Sequence, residues 1–447
     1  MRTRFLSLLS PLHHRAFRRL WLSMSLSFAG DCLQNIAQAW LVATVTGSAL
    51  AVGGIGMIAA IPQLFILVGG AVGDRLDRRR LLVTTQLVGA GLAAIVVLLV
   101  VTGRIVTWHI YLWALAAGLI WLFTRPAYKV ILTESVPANE VRPAAGLNSI
   151  TESTLRLMVN ALGSLLLALV GLPIAFFLNA LSYLAAGLSL RGMPSISREQ
   201  FRVGANPSGL RSDETERDAV VRPEGFRASS RRFTLSEIAS DLLGGLRYLI
   251  HQPRIFHPLL LTYLIVACLS PASGLLAAIV HKQGGSIVGL GLLAAGSSLG
   301  GIVGATYAGM RADARDPVRQ YGLFALAGAG ALAVFALIPA SYVSLAPLAL
   351  FGFMAVYQAV SNTSRIRLLA DPVYQARLQS IATMVFWIGN AAGQLWGGIA
   401  VDRFGVTGLL TGSVILLAVG GWALLTGFRQ KHPAIPVSVG PEPPRTP

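Results

Sequence analysis

Polar and apolar residues do not alternate along this chain. Apolar residues run instead in blocks of about twenty, broken by short polar loops, from residue 18 to residue 427. Such blocks are the signature of helices that cross a bilayer, because a span needs ~20 residues to clear ~30 Å of hydrocarbon. The pattern predicts twelve spans, at 18–46, 50–72, 80–102, 105–127, 143–170, 173–190, 254–280, 287–309, 320–338, 343–366, 378–400 and 406–427. Residues 191–233 interrupt the series with Arg, Glu, Ser and Pro and no apolar period, which predicts a flexible linker. Thr234-x-x-Glu237 is a candidate capping box, and Leu235, Ile238, Leu242, Leu246 and Leu249 recur at three and four. Residues 234–253 therefore predict an amphipathic helix on the inner membrane face. The Pro-rich stretch 429–447 predicts a disordered tail.

Short echoes recur about 235 residues apart. Gly73-x-Arg75-x-Asp77 after the second span returns as Gly309-x-Arg311-x-Asp313 after the eighth, and Pro137 with Arg142 returns as Pro372 with Arg377. Each echo lands where a six-helix duplication places it. The expected architecture is an all-α polytopic membrane protein: twelve transmembrane helices in two pseudo-symmetric six-helix bundles, 1–190 and 254–428.

Composition agrees, since 447 residues at 54% hydrophobic and 12% charged are too apolar for a soluble chain. The net charge of +17 would suggest nucleic acid if clustered, but it is spread over span ends. With both termini inside, 32 of the 36 Lys and Arg fall on the inner side. Only Arg104, Lys282 and Arg403 fall outside, and Arg156 falls within a span. That asymmetry predicts cytoplasmic termini in a bacterial inner membrane. Arg18-Arg19 leads straight into a full span with no small-residue cleavage site, so the first helix reads as uncleaved. Cys32 and Cys268 lie in apolar runs and read as buried small hydrophobes.

Enzyme chemistry finds no support. The seven histidines lie near span ends or in tails, without H-E-x-x-H or a Cys-His cluster, so no metal or cofactor is expected. Gly296-Ser297-Ser298-Leu299-Gly300 matches G-x-S-x-G in letters, but it lies mid-span and not on a strand-to-helix turn. Glycines at 296, 300 and 304, and at 389, 393 and 397, read as packing and sliding surfaces between helices.

The loop after the second span carries Gly70-x-x-x-Asp74-Arg75-x-x-Arg78-Arg79. It resembles the loop signature of the major facilitator superfamily, with Asp77 where that signature has its second glycine. Phe17-Arg18-Arg19-Leu20-Trp21, Gly30-Asp31, Gln34-Asn35, Trp40-Leu41, Thr46-Gly47-Ser48, Arg125-Pro126-Ala127, Val136-Pro137 and Gly146-Leu147-Asn148-Ser149 are similar to the branch holding macrolide-efflux proteins and the enterobactin exporter. The resemblance implies that Gly70, Asp74, Arg75, Arg78 and Arg79 latch a cytoplasmic gate. It also implies that the first, fourth, seventh and tenth helices line a central cavity. A plain positive-inside loop is the other reading of the same residues.

Charged groups within spans are the informative ones, because each costs at least ~2.5–3.5 kcal/mol at a helix centre. Only Asp31, Glu152 and Arg156 qualify. Asp31 heads a polar stripe with Gln34 or Asn35 and Gln38, suited either to binding and releasing a proton or to a fixed interhelical hydrogen bond. Ala267 stands at its matching offset in the second half. Glu152 and Arg156 sit one turn apart, as a self-satisfied pair or as coupling groups. The stretch Arg156-Leu157-Met158-Val159-Asn160-Ala161 lacks the G-x-x-x-G-P signature of the drug antiporters' fifth helix, and so its kink. Trp121, Arg125 and Tyr128 on the fourth span, Gln358, Asn362 and Arg365 on the tenth, and Asn390 and Gln394 on the eleventh are cavity candidates. Arg125 and Arg365 either snorkel to headgroups or draw in an anion.

These readings predict a monomeric secondary transporter, in contact with lipid but not nucleic acid. It exports a small amphipathic molecule, drug-like or siderophore-like, by alternating access in exchange for protons. A metabolite uniporter or importer, or a ligand-binding membrane protein that moves nothing, fits the same fold.

Overall fold

A computed structural model describes residues 9–66, 76–192, 235–310, 316–338 and 342–427. The first half holds α1 (Arg15–Thr46), α2 (Ala49–Ala60, continued by a 3-10 turn Ile61–Phe65), α3 (Arg78–Val101), α4 (Thr107–Glu134), α5 (Val141–Met158) and α6 (Pro173–Arg191). A π turn (Val159–Gly163) and a last helical stretch (Ser164–Val170) carry α5 on to its end. After α7 (Leu235–Ile250), the second half holds α8 (Pro253–Gly274, then Leu276–Lys282), α9 (Ile287–Met310), α10 (Pro317–Leu337), α11 (Leu345–Leu369), α12 (Pro372–Phe404) and α13 (Leu410–Gly427).

Among the described residues nine helices are long and apolar enough to cross a membrane. The other three long rods are α2, which is described only as far as Ile66, and α1 and α12, which are diluted by side chains such as Gln34, Gln38, Asn390 and Gln394. Exposed Leu98, Val101, Leu169 and Leu425 place apolar surface where only lipid makes it harmless. The expected linker begins two residues late, since Arg191 ends α6 and Gly192 follows it; residues 193–233 and the tail lie outside the described residues.

Local chemistry sets the helix ends. Gly47 adopts φ 61° to close α1, and Ser48 then caps α2 by accepting from the Ala51 amide. Asp77 accepts from the Arg80 amide at 3.0 Å, so the residue that departs from the loop signature is the N-cap of α3. Asp316 does the same for α10 through Arg319.

The halves meet along two quasi-equivalent seams, α2 on α12 and α5 on α9. Hydrophobic driving force between helices is weak in lipid, so small residues that admit close backbones make such seams. A Cβ on Gly53 would meet the Gln394 carbonyl at 2.7 Å, and one on Gly398 would meet the Leu50 Cα at 2.7 Å. The two glycine stripes read from the sequence lie elsewhere. Gly296, Gly300 and Gly304 pack on α11, and Gly389, Gly393 and Gly397 pack on α8, inside one half rather than across the sliding surface.

The rods run up and down, so one end of the bundle carries the start of α1 and the end of α13. We call this the terminal end, and the opposite one the far end. Toward the far end one apolar core joins the halves, including Ala49, Val52, Leu275, Ile279 and Val401. At the terminal end the core divides. Phe17, Leu20, Leu82 and Leu190 form one cluster, and Ile255, Leu259, Ile366 and Leu378 form another. Among the described residues the bundle is thus sealed at the far end and parted at the terminal end.

α7 docks on the second half rather than lying free. Leu249 is 4% exposed, and Tyr248 stacks on Tyr374 at 4.3 Å. Leu243, Leu246 and Ile250 remain exposed, an apolar face suited to lipid.

Candidate functional site

Each half carries a cleft. The first has about 630 Å³ of open space and is walled by α1, α3, α4, α5 and α6. Asp31, Trp121, Arg125, Tyr128, Lys129 and Glu152 line it.

Asp31 is the hub. Its Oδ1 accepts from the Tyr183 hydroxyl at 2.7 Å and from Asn179 Nδ2 at 3.4 Å, both on α6. Its Oδ2 accepts from Trp121 Nε1 on α4 at 3.1 Å. One carboxylate therefore ties three helices, and hydrogen bonds to a charged group are worth about 1.5–3 kcal/mol each. The ring of Trp121 in turn carries the Arg125 guanidinium, 4.2 Å above its centroid. Stacking on an aromatic face steadies a guanidinium by about 0.5–2 kcal/mol while leaving its N–H edge free.

A second chain of contacts runs along the other wall. Tyr128 donates to Asn148 Oδ1 at 2.5 Å, and Asn148 donates to Glu152 Oε1 at 3.0 Å. Glu152 and Arg156 are not the self-satisfied pair the spacing allowed: Glu152 is held by Asn148, while Arg156 lies over Phe28 at 5.3 Å. α5 swings round by a π turn at Val159–Gly163, so the place without Gly-Pro is irregular after all.

The expected stripe on α1 splits. Gln34 turns to α6, where it accepts from Asn179 at 2.6 Å, while Gln38 donates to exposed Asn35 at 3.0 Å. Only Asp31 of the four lines the cleft.

The second cleft, about 470 Å³, is lined by Ser270, Ser273, Gln358, Phe386 and Asn390 among others. Gln358 is 1% exposed, and among the described residues neither end of its amide has a hydrogen-bond partner. Asn362 lies deeper in the half. It accepts from Tyr321 at 2.9 Å and donates to Thr262 at 2.9 Å, joining α10, α11 and α8. Arg365 does not snorkel: it is 4% exposed, with its guanidinium 5.7 Å from the Tyr321 ring centroid. Gln394 donates to Asn390 at 2.5 Å and sits at the seam with α2.

The far end is closed by Asp402 of α12. It accepts from the Ser48 hydroxyl at 2.6 Å and from the amides of Ala49 and Leu50 at 2.8 and 3.0 Å, across the halves. Lys282 donates to it at 2.6 Å. A carboxylate from one half thus sits on the N-terminus of a helix of the other, where the helix dipole favours it.

Of the proposed gate residues, Gly70, Asp74 and Arg75 lie outside the described residues. Arg78 pairs with Glu134 at 2.9 Å, and Arg79 donates to the carbonyls of Leu190 and Arg191, all within the first half.

Sequence reasoning passed over Asn179, Tyr183 and Asp402. Asn179 and Tyr183 are one helical turn apart in an apolar span, a signal that was there to find.

Comparisons with known proteins fit this geometry. Residues 6–217 match a family model described as "Transmembrane secretion effector". A bacterial homolog to the human lysosomal transporter Spinster, solved inward-facing and unoccupied, superposes with a TM-score of 0.65 at 12% identity, covering 93% of this chain and 97% of that one. The chain has the major facilitator fold. The nucleoside transporter NupG (TM-score 0.56, 15% identity, 92% and 98% coverage) and a D-xylose-proton symporter (0.59, 14%, 92% and 97%) share it. No curated protein matches the chain significantly. At 12 to 15% identity these are likenesses of fold.

Proposed function

We propose that this protein is a proton-coupled exporter of a small amphipathic molecule in a bacterial inner membrane, with both termini cytoplasmic. The observation that carries the reading is the Asp31 carboxylate, which lines a cleft and bonds α4 and α6 at once. The two clefts form the walls of one substrate path, and the parted terminal end is its cytoplasmic mouth.

The donors around Asp31 are unequal. The Tyr183 hydroxyl can reverse and accept a hydrogen bond, but the indole N–H of Trp121 can only donate. A proton arriving on Oδ2 removes the charge that strengthens the Trp121 bond and so loosens that ring. Because Arg125 rests on the ring, proton binding loosens the principal cation of the cleft as well. Exchange follows if Asp31 is protonated from outside when the far end opens, and releases its proton inward after the substrate has left.

The same three donors favour a second reading, in which Asp31 is permanent glue and the protein is a facilitator without protons. Reconstituted vesicles separate the two. Asp31→Asn is expected to abolish transport driven by a pH gradient while leaving the protein folded and counterflow intact. Unimpaired uphill transport by that variant would establish the facilitator instead.

A further inference from the structure

The hydrogen-bonding capacity of the first cleft is unevenly spent. Asp31 is engaged by three donors and Glu152 by Asn148. Arg125 has the Trp121 face beneath it, but among the described residues no hydrogen bond or ion pair reaches its edge, and none reaches the Lys129 ammonium. Arg156, over Phe28, adds a third cation against two acids. A guanidinium stacked on one face presents a planar fork of donors, and such a fork matches an oxyanion bidentately. Lys129, one turn closer to the terminal end, adds a point charge on the same wall.

We propose that the transported molecule is an organic oxyanion, a carboxylate, sulfonate or phosphate ester, whose charged group is held by Arg125 and Lys129. The inference rests on the transport reading and gives it a substrate class. In the second cleft the unpartnered amide of Gln358 offers one donor and one acceptor to an uncharged polar part of the same molecule. The aromatic and aliphatic walls of both clefts, Phe28, Ile120, Phe351 and Phe386, suit an apolar body. Cationic amphiphiles find no such opening, because the acids already have partners and the free charges repel them.

Binding can be read without transport. A single cysteine at Ser25, which lines the first cleft, is placed in the full chain with Cys32 and Cys268 changed to Ser. Its maleimide labelling in phosphatidylcholine vesicles is then titrated with 4-phenylbutyrate, 4-phenylbutanol and 4-phenylbutyl-trimethylammonium. The carboxylate is expected to protect at a concentration about tenfold below that of the alcohol, and the ammonium compound not at all. Arg125→Gln should raise the carboxylate concentration needed about tenfold and leave the alcohol unchanged, which also shows that the variant is folded; Arg125→Lys should fall between. Vesicles with one third phosphatidylglycerol distinguish a lipid headgroup from a free solute: slower labelling in that lipid alone, lost in Arg125→Gln, assigns the oxyanion to lipid. Protection by the ammonium compound at or below the carboxylate concentration, no saturable protection by the carboxylate, or an unaltered Arg125→Gln titration would overturn the inference. Protection without flux would leave it standing and defeat the transport reading, whereas driven flux of the ammonium compound would do the reverse.

Discussion

The first cleft holds Asp31, Arg125, Lys129 and Glu152, whereas the second, on the quasi-equivalent half, is lined by Ser270, Ser273, Gln358 and Asn390 with no charged side chain. The two halves share a frame and the quasi-equivalent α2/α12 and α5/α9 seams, but their chemistry differs. A charge at the centre of a span costs at least ~2.5–3.5 kcal/mol, so keeping both Asp31 and Glu152 in the first cleft is physically sensible only if that side does the electrostatic work. The neutral side then supplies shape and uncharged hydrogen bonding.

Moving the acid across should have the largest effect. Ala267→Asp puts a carboxylate at the position matching Asp31, where α8 lies tight against Gly393 and the Trp396 indole is already spent on the Ala267 carbonyl. It is expected to cost at least ~2.5–3.5 kcal/mol, seen as a lowered melting temperature in detergent. A melting temperature equal to wild type would show that the halves are not chemically distinct.

Stripping the hub comes next. Tyr183→Phe removes the donor at 2.7 Å and should destabilise the first half by about 1.5–3 kcal/mol. Trp121→Phe keeps the ring under Arg125 but severs it from Asp31, and should let protons leak without substrate, read with a pH dye trapped in vesicles. Tight coupling in that variant would remove Trp121 from the mechanism.

Loosening the far end is smaller. Asp402→Asn weakens a charge-assisted cap across the halves by about 1–2 kcal/mol, a five- to thirty-fold shift toward far-end opening. Faster labelling from outside of a cysteine placed at Ser273 would show it. The smallest effect belongs to the neutral cleft: Asn390→Ala should raise KM a few-fold, a loss of about 1 kcal/mol, and leave the proton-to-substrate ratio untouched.

The apolar blocks made twelve rods and two halves legible, because span length is a one-dimensional property. The fourth-span residues Trp121, Arg125 and Tyr128 do gather in one cleft, since α4 presents a single polar face. Rotational phase was harder to read. Gln34, at helical spacing from Asp31, turns to Asn179, and Arg365 is enclosed beside Tyr321, because the neighbour that claims a polar side chain lies on another helix. Asp402 escaped notice for the same reason: its partners at Ser48, Ala49 and Leu50 are some 350 positions away.

The most direct test of proton-driven rocking is a pair of spin-label distances followed against pH in vesicles. One pair, at Arg142 and Leu368, spans the terminal end, and the other, at Arg104 and Tyr342, spans the far end. Acidification should close the first and open the second in the wild type, and change neither in Asp31→Asn. Distances that ignore pH in the wild type, or that respond equally in the variant, would contradict the account.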